Sequence, residues 1–457
     1  MPHQDVSIRL RACPDLLSRV PVNQVQLLLL PVLLGLAGAV QAQNPASDRL
    51  VQFASTRPQL ANARAIGTLC FAGNRLSARL QDDCNTLVGN AFGANPTTDV
   101  SVRRALAAIV GDNATIPIDR SGLGRSSLTA TGVRANGPGY AALLAADAQT
   151  ASLQLDGGGV GSDWSLYVNA RVDRNERERS DREDAFDEDG RALTVGFDLR
   201  TGASAHVGAA VIWGQREIDY GEDSGALDTT DLALNLYANW QGATGWHAES
   251  LLALTRRDYE QLRRIAYGLG PAAVDQRFDS RFDGEESLLA LGGGYAWNRG
   301  ASTLDPYLRV EVVDASSDGY TEVSRTPLAV GAGWAMEVDA LDETFTRGVL
   351  GLRAAHAFSG GSGVWTPYLD LSWIGVSGLD AQAAQVRYAG DRSDAVAQSR
   401  LNFLLEADKE DNRYGSAALG LSAQWANGWS GFAGYRQNFS ENRYRQAQFD
   451  FGLRREF

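Results

Sequence analysis

Between residues 163 and 457 the apolar side chains recur at every second position, in runs broken by turns. That pattern restricts the chain to β-strands whose two faces meet unlike surroundings. In one run Trp164, Leu166, Val168, Ala170 and Val172 alternate with Ser165, Tyr167, Asn169, Arg171 and Asp173. A second sets Leu193, Val195, Phe197 and Leu199 against Thr194, Gly196, Asp198 and Arg200, and a third sets Leu232, Leu234, Leu236, Ala238 and Trp240 against Ala233, Asn235, Tyr237 and Asn239. Leu304, Pro306, Leu308, Val310 and Val312 face away from Tyr307, Arg309 and Glu311, as Trp365, Pro367, Leu369, Leu371 and Trp373 do from Thr366, Tyr368, Asp370 and Ser372. Trp or Tyr often stands near an end of the apolar set, where a strand crossing a bilayer meets headgroups.

A soluble sandwich also alternates, so the connections decide. Every second connection is minimal: residues 201–204, 241–245, 298–302, 359–363 and the Asn427-Gly428 turn. The others read as long and charged: residues 173–190 run DRNERERSDREDAFDEDG, and the links after Trp213, Thr255, Val313 and Gly375 exceed hairpin length. Short turns on one rim and long loops on the other are the asymmetry of outer-membrane barrels. The expected fold class is mainly β: an antiparallel transmembrane β-barrel of about twelve strands over residues 163–457, preceded by a small helical region and a linker helix. Only 44% of residues are hydrophobic, which suits strands that need one apolar face. A net charge of −13 argues against a nucleic-acid partner.

Residues 1–42 have the layout of a secretory signal: Arg9, Arg11 and Arg19 precede an apolar core at 27–39, interrupted by Pro31, and Val40-Gln41-Ala42 offers small cleavage residues. Cleavage there removes Cys13 and leaves Cys70 and Cys84. In an exported chain an isolated pair is most simply a disulfide, the alternative being two unrelated thiols. On one unbroken helix they would stand about 21 Å apart, beyond disulfide reach. Gly73-Asn74 supplies a break, so a helical hairpin is expected, with Leu76, Leu80, Cys84 and Leu87 on one face of its second arm. Residues 100–110 are expected to form a further helix with Asp99 as N-cap, and residues 113–139, rich in Ser, Thr, Gly and Pro, a linker. Residues 140–151, YAALLAADAQTA, favour a helix placed in the barrel lumen, outside the barrel, or left as a tether, ahead of the Gly157-Gly158-Gly159 hinge.

So assembled, residues 140–457 resemble the autotransporters of type V secretion. The motifs that carry the resemblance are LDPYLRV (304–310), GYTE (319–322), VLGLRAAHAF (349–358), TPYLDLSW (366–373), GSAALGLSAQWANG (415–428) and FDFGLRREF (449–457), in the family's order. The resemblance implies a signal peptide (1–42), a passenger (43–139), a linker (140–162) and a translocator barrel (163–457). It also implies dealings with the Sec translocon and the barrel-assembly machinery, and surroundings of outer-membrane lipid and lipopolysaccharide in a Gram-negative bacterium. Phe449, Phe451, Leu453 and terminal Phe457 share a face, similar to the signal that assembly machinery reads, although Arg455 departs from the usual apolar pattern. The passenger is short, without a solenoid repeat, and no Asn-Asn pair marks a self-cleavage site in the linker.

No catalytic chemistry is expected. Residues 43–139 contain no histidine, so Ser-His-Asp hydrolysis has no proton shuttle there. His206, His247 and His356 fall on three expected strands without metal-type spacing. No cofactor or metal site is expected; Asp181, Glu183, Asp187, Glu188 and Asp189 read as a solvated loop in preference to a cation site bridging lipopolysaccharide. Arg171, Asp198, Arg200, Arg309, Glu311 and Asp370 are expected to face inward and pair or line a pore. The expected role is secretion or surface display of the N-terminal segment, the alternatives being a passive channel with a periplasmic N-terminus or a surface adhesin.

Overall fold

A computed structural model describes residues 45–71, 76–93, 96–110, 164–180, 182, 185–201, 204–269, 272–378, 383–392, 402–408, 411–425 and 428–456. The expected signal (1–42), linker helix (140–151), Gly73-Asn74 break, Asp181, Glu183 and Phe457 lie outside the described residues.

Twelve antiparallel strands close into a barrel. They are β1 (Trp164–Arg177), β2 (Phe186–Arg200), β3 (Ala205–Tyr220), β4 (Gly225–Gln241), β5 (Trp246–Leu269), β6 (Ala272–Tyr295), β7 (Ser302–Ser317), β8 (Leu341–His356), β9 (Gly363–Ser377), β10 (Arg413–Trp425), β11 (Trp429–Phe439) and β12 (Tyr444–Glu456). Each pairs with the next, and β12 returns to β1 with Ser165 opposite Glu456. Closure leaves no unpaired backbone edge for lipid to meet. The expected short turns fall on one rim, and at Gly428 the backbone has φ 74°, which a glycine adopts without strain.

Burial runs opposite to that of a soluble sheet. Leu232, Leu234, Leu236 and Trp240 are exposed on the outer face of β4, whereas Asn235, Tyr237 and Asn239 are buried on the inner one. Inner charges pair: Arg171 with Asp173 at 2.9 Å, Arg257 with Asp231 at 3.0 Å and Glu286 at 2.9 Å, and Arg353 with Asp305 at 3.0 Å and Asp370 at 3.2 Å. Arg309 and Arg347 share Glu311 at 2.7 and 2.9 Å, and Arg454 meets Asp198 at 3.0 Å. Of the residues expected inward, Arg200 alone is exposed, because its strand ends at the short-turn rim.

Inner tyrosines lie over glycines of the neighbouring strand: Tyr167 opposite Gly196, Tyr237 opposite Gly208, Tyr307 opposite Gly351. A Cβ at Gly351 would stand 2.1 Å from the Tyr307 ring, whereas one at Gly348 meets nothing nearer than 4.0 Å. Gly351→Val is therefore expected to cost about 1–3 kcal/mol by overpacking and Gly348→Val little, measured as the unfolding midpoint of refolded barrel by gel mobility. Equal midpoints for the two variants would remove the steric account.

The connections expected to be long differ. Three are raised hairpins: β1 and β2 stay paired out to Arg177↔Phe186, with Asp173 opposite Gly190; β3 and β4 are joined by residues 221–224; β5 and β6 by residues 270–271. The β5–β6 ladder runs from Trp246↔Tyr295 to Leu269↔Ala272, about 80 Å of strand. Beyond Thr255 the outer face needs only water, and it carries mostly ion pairs: Arg256–Asp283 at 2.8 Å, Arg281–Glu260 at 3.1 Å, Arg264–Asp275 at 2.9 Å. The inner face inverts in step and becomes apolar, with Tyr259, Ile265 and Tyr267 of β5 buried beside Val274, Phe278 and Phe282 of β6. Among the described residues, those of 318–340 and 383–408 leave the barrel ladder; from them Tyr320–Thr321, Met336–Val338, Ala383–Tyr388 and Phe403–Glu406 form a small four-stranded sheet. Hairpins and excursions together make a crown on the long-loop rim.

Among the described residues four helices precede the barrel: α1 (Pro45–Val51), α2 (Arg57–Leu69), α3 (Ala78–Phe92) and α4 (Pro96–Val110). Thr56 caps α2 by accepting from the Gln59 N–H, and Ser77 caps α3 by accepting from Leu80 N–H. The last helix begins at Pro96, not at the expected Val100, because proline suits a first turn that needs no N–H donor; Asp99 lies within the helix and is not its cap. Leu50, Ile66, Leu80, Leu87, Leu106 and Ile109 are fully buried between the helices and the crown.

Candidate functional site

The helices are seated on the inner face of the crown, the same face that lines the lumen lower down. Sequence explains the seat: apolar residues on β5 shift from even positions (Leu252, Leu254) to odd ones (Tyr259, Ile265, Tyr267), so the membrane-facing side becomes wet and the inner side becomes a surface for helices.

Arg263 of β5 is the centre of the seat. Its Nε and Nη2 donate to both carboxylate oxygens of Glu322 at 2.6 Å, its Nη1 to the Ile109 carbonyl at the end of α4 at 2.8 Å, and its Nη2 also to the Trp334 carbonyl at 2.8 Å. The Phe278 ring lies under the guanidinium, 4.7 Å from it. A cation at a helix C-terminus meets the negative end of the helix dipole as well as an orphan carbonyl. Glu322 in turn accepts from the Met336 N–H at 2.8 Å, and the Trp334 indole donates to the Tyr267 hydroxyl at 2.7 Å. Both charges of the Arg263–Glu322 pair are buried.

The other helices hold the excursions. Asp83 on α3 accepts from the N–H groups of Gly331 and Gly333 at 2.8 and 2.9 Å, and Arg79 donates to the Leu328 carbonyl at 3.2 Å. Burial pushes the Asp83 carboxyl up, against the pull of those two N–H donors and of Arg79. The Ser77 N–H donates to the Gly390 carbonyl at 2.8 Å, and the Tyr388 hydroxyl donates to Asn62 on α2. Asp83→Ala strands two buried N–H donors, so the seat is expected to weaken by about 1–3 kcal/mol per donor. Faster amide exchange at Gly331 and Gly333 checks this; wild-type exchange there would rule it out.

Cys70 and Cys84 have their sulfurs at bonding distance and their Cα atoms 5.3 Å apart, joining the end of α2 to the middle of α3. Leu80, Cys84 and Leu87 share the buried face, while Leu76 precedes the helix in a bridge to Asp391. Phe449, Phe451 and Leu453 point outward on β12, and Arg455 lies over the Trp429 ring at 5.1 Å. Glu188, expected in a loop, is a buried strand residue bonded to Arg216 at 2.9 Å and Asn175 at 2.8 Å; Asp187 and Asp189 face outward on the same strand. His206, His247 and His356 all lie near the short-turn rim on separate strands; His247 meets Asp305 at 2.8 Å and His356 meets Ser302 at 2.7 Å. Among the described residues no cluster of three or more His, Cys, Asp or Glu is disposed to hold a metal. Sequence reasoning missed Arg263, Glu322, Asp83 and Trp334 as a set; the inversion of apolar parity along β5 was the available signal.

A closed barrel, apolar outside and charged within, with short turns on one rim and a tall crown on the other, defines an integral outer-membrane protein. No curated protein matches the sequence. The family described as "Autotransporter beta-domain" matches residues 166–436, more than half of the chain, and the chain belongs to that family. Among solved structures, the translocator domain of autotransporter NalP from Neisseria meningitidis is similar over 73% of this chain and 100% of that one, at 16% identity and a TM-score of 0.48. The β domain of the Bordetella autotransporter Brka is similar over 65% and 100%, at 20% identity and 0.43, and the transport unit of AIDA-I from Escherichia coli over 68% and 98%, at 12% identity and 0.40.

Proposed function

We propose that this outer-membrane barrel carries its own N-terminal helical unit (45–110) to the cell surface and keeps it displayed on the crown. One observation supports the reading above others. The helices end on the crown, at the long-loop rim, while β1 starts at Trp164 on the short-turn rim, so Val110 and Trp164 stand at opposite rims of the barrel. Short turns face the periplasm in bacterial outer-membrane barrels, and a polar connection crosses hydrocarbon only inside the protein. The packing of the helices on the long-loop rim weighs against a channel with a periplasmic N-terminus.

The reading assigns the chain no catalysis and no cofactor. Phe449, Phe451 and Leu453 then present the apolar face by which assembly machinery would take up β12, and lipid and lipopolysaccharide would surround the outward leucines. An epitope inserted between Ala94 and Asn95, in the link between α3 and α4, is expected to bind antibody on intact cells. Binding only after the outer membrane is permeabilised would reject display.

A further inference from the structure

Besides the Arg263 contact with the end of α4, the helical unit is anchored through the two helices that the disulfide joins. Asn62 on α2 takes the Tyr388 hydroxyl, and Asp83 on α3, next to Cys84, takes the Gly331 and Gly333 amides. The start of α3 also reaches the segment that α2 holds, through the Ser77 N–H to the Gly390 carbonyl at 2.8 Å. Helices of 13 and 15 residues are marginal alone, and a unit of this size has a small core, part of which is here the crown's Trp334, Tyr388 and Phe278. Cys84 is fully buried, while Cys70 is only partly so and offers the side from which a reductant reaches the bond.

We propose that Cys70–Cys84 is a redox catch: oxidised, it presents the α2 and α3 anchors together and the unit stays seated; reduced, the unit leaves the crown. The step is a two-electron exchange with an external dithiol. That thiol attacks one sulfur, the mixed disulfide is resolved by its second thiol, and Cys70 and Cys84 are left as thiols while the reductant leaves as its own disulfide. Opening a link that closes a loop of this length shifts the unit's folding equilibrium roughly a hundred-fold, and because the crown binds only the folded unit, seating falls by the same factor. The unit's place at the cell surface, where such thiols would meet it, rests on the display reading; the catch itself does not.

The test is hydrogen exchange, read by mass spectrometry on the full chain in detergent, with and without a phosphine reductant. Reduction is expected to cut protection roughly a hundred-fold in peptides covering residues 76–92 and 329–336, leaving the β5–β6 ladder over the membrane band unchanged. The Cys70→Ser/Cys84→Ser chain is expected to exchange as the reduced protein does. Unchanged protection after reduction overturns the catch, even if the double variant exchanges fast through misfolding, and so does equal loss across the barrel ladder. Detergent-solubilised protein reports the catch whichever side of the membrane the unit occupies, whereas the epitope on intact cells reports the side, so the two readings fail separately.

Discussion

Glu322→Ala is expected to unseat the helical unit. The substitution leaves the Arg263 guanidinium buried beside Phe278 and the Ile109 and Trp334 carbonyls with its bidentate carboxylate gone, and it strands the Met336 N–H. Breaking a buried pair by removing one partner costs about 3–5 kcal/mol, because the remaining charge has no water to return to. Tryptic cleavage within residues 45–110 follows the population of the open form when opening is fast, so its rate is expected to rise by roughly two to three and a half orders of magnitude. Arg263→Met combined with Glu322→Leu removes both charges and is expected to recover much of the loss. Cleavage of Glu322→Ala at the wild-type rate would mean that the pair does not hold the unit.

One outward face of β5 tests where the bilayer stops. Leu252 lies in the apolar band, 39% exposed, and Leu262 shares its face well up the crown, between Glu260 and Arg264. Leu252→Arg is expected to destabilise the barrel by about 2–4 kcal/mol, the cost of an arginine facing lipid near the midplane. Leu262→Arg is expected to cost less than 1 kcal/mol or so, since its side chain stays in water. Urea unfolding in lipid vesicles measures both. Equal effects would show that the hydrocarbon reaches the crown or never covers Leu252.

The barrel was legible because its alternation is local: Leu232 to Trp240 announces both faces of β4 without reference to any other strand. The height of its hairpins was not. Residues 173–190 look like a loop because past the membrane both faces lose their leucines, yet backbone pairing continues there unaided by hydropathy. Two helical arms on either side of residues 72–75 were expected from the hydrophobic spacing, and α2 and α3 lie there, with the Cys70 and Cys84 Cα atoms 5.3 Å apart. The seat was not expected, because Arg263, Glu322 and Asp83 come from three distant stretches and each resembles any other loop charge until the fold brings them together. At the start of α4 two local signals compete, Pro96 as a first helical residue and Asp99 as a cap, and the helix takes the proline.

The seam of the cylinder joins Ser165 to Glu456, the first and last portions of the barrel sequence. Such a ring cannot be shut until its final strand has been made and delivered. Until then a gap stays open along its whole height, between β1 and the place of β12. Order of synthesis thereby sets order of assembly: every residue upstream of Trp164 has been made before β12 can complete the wall.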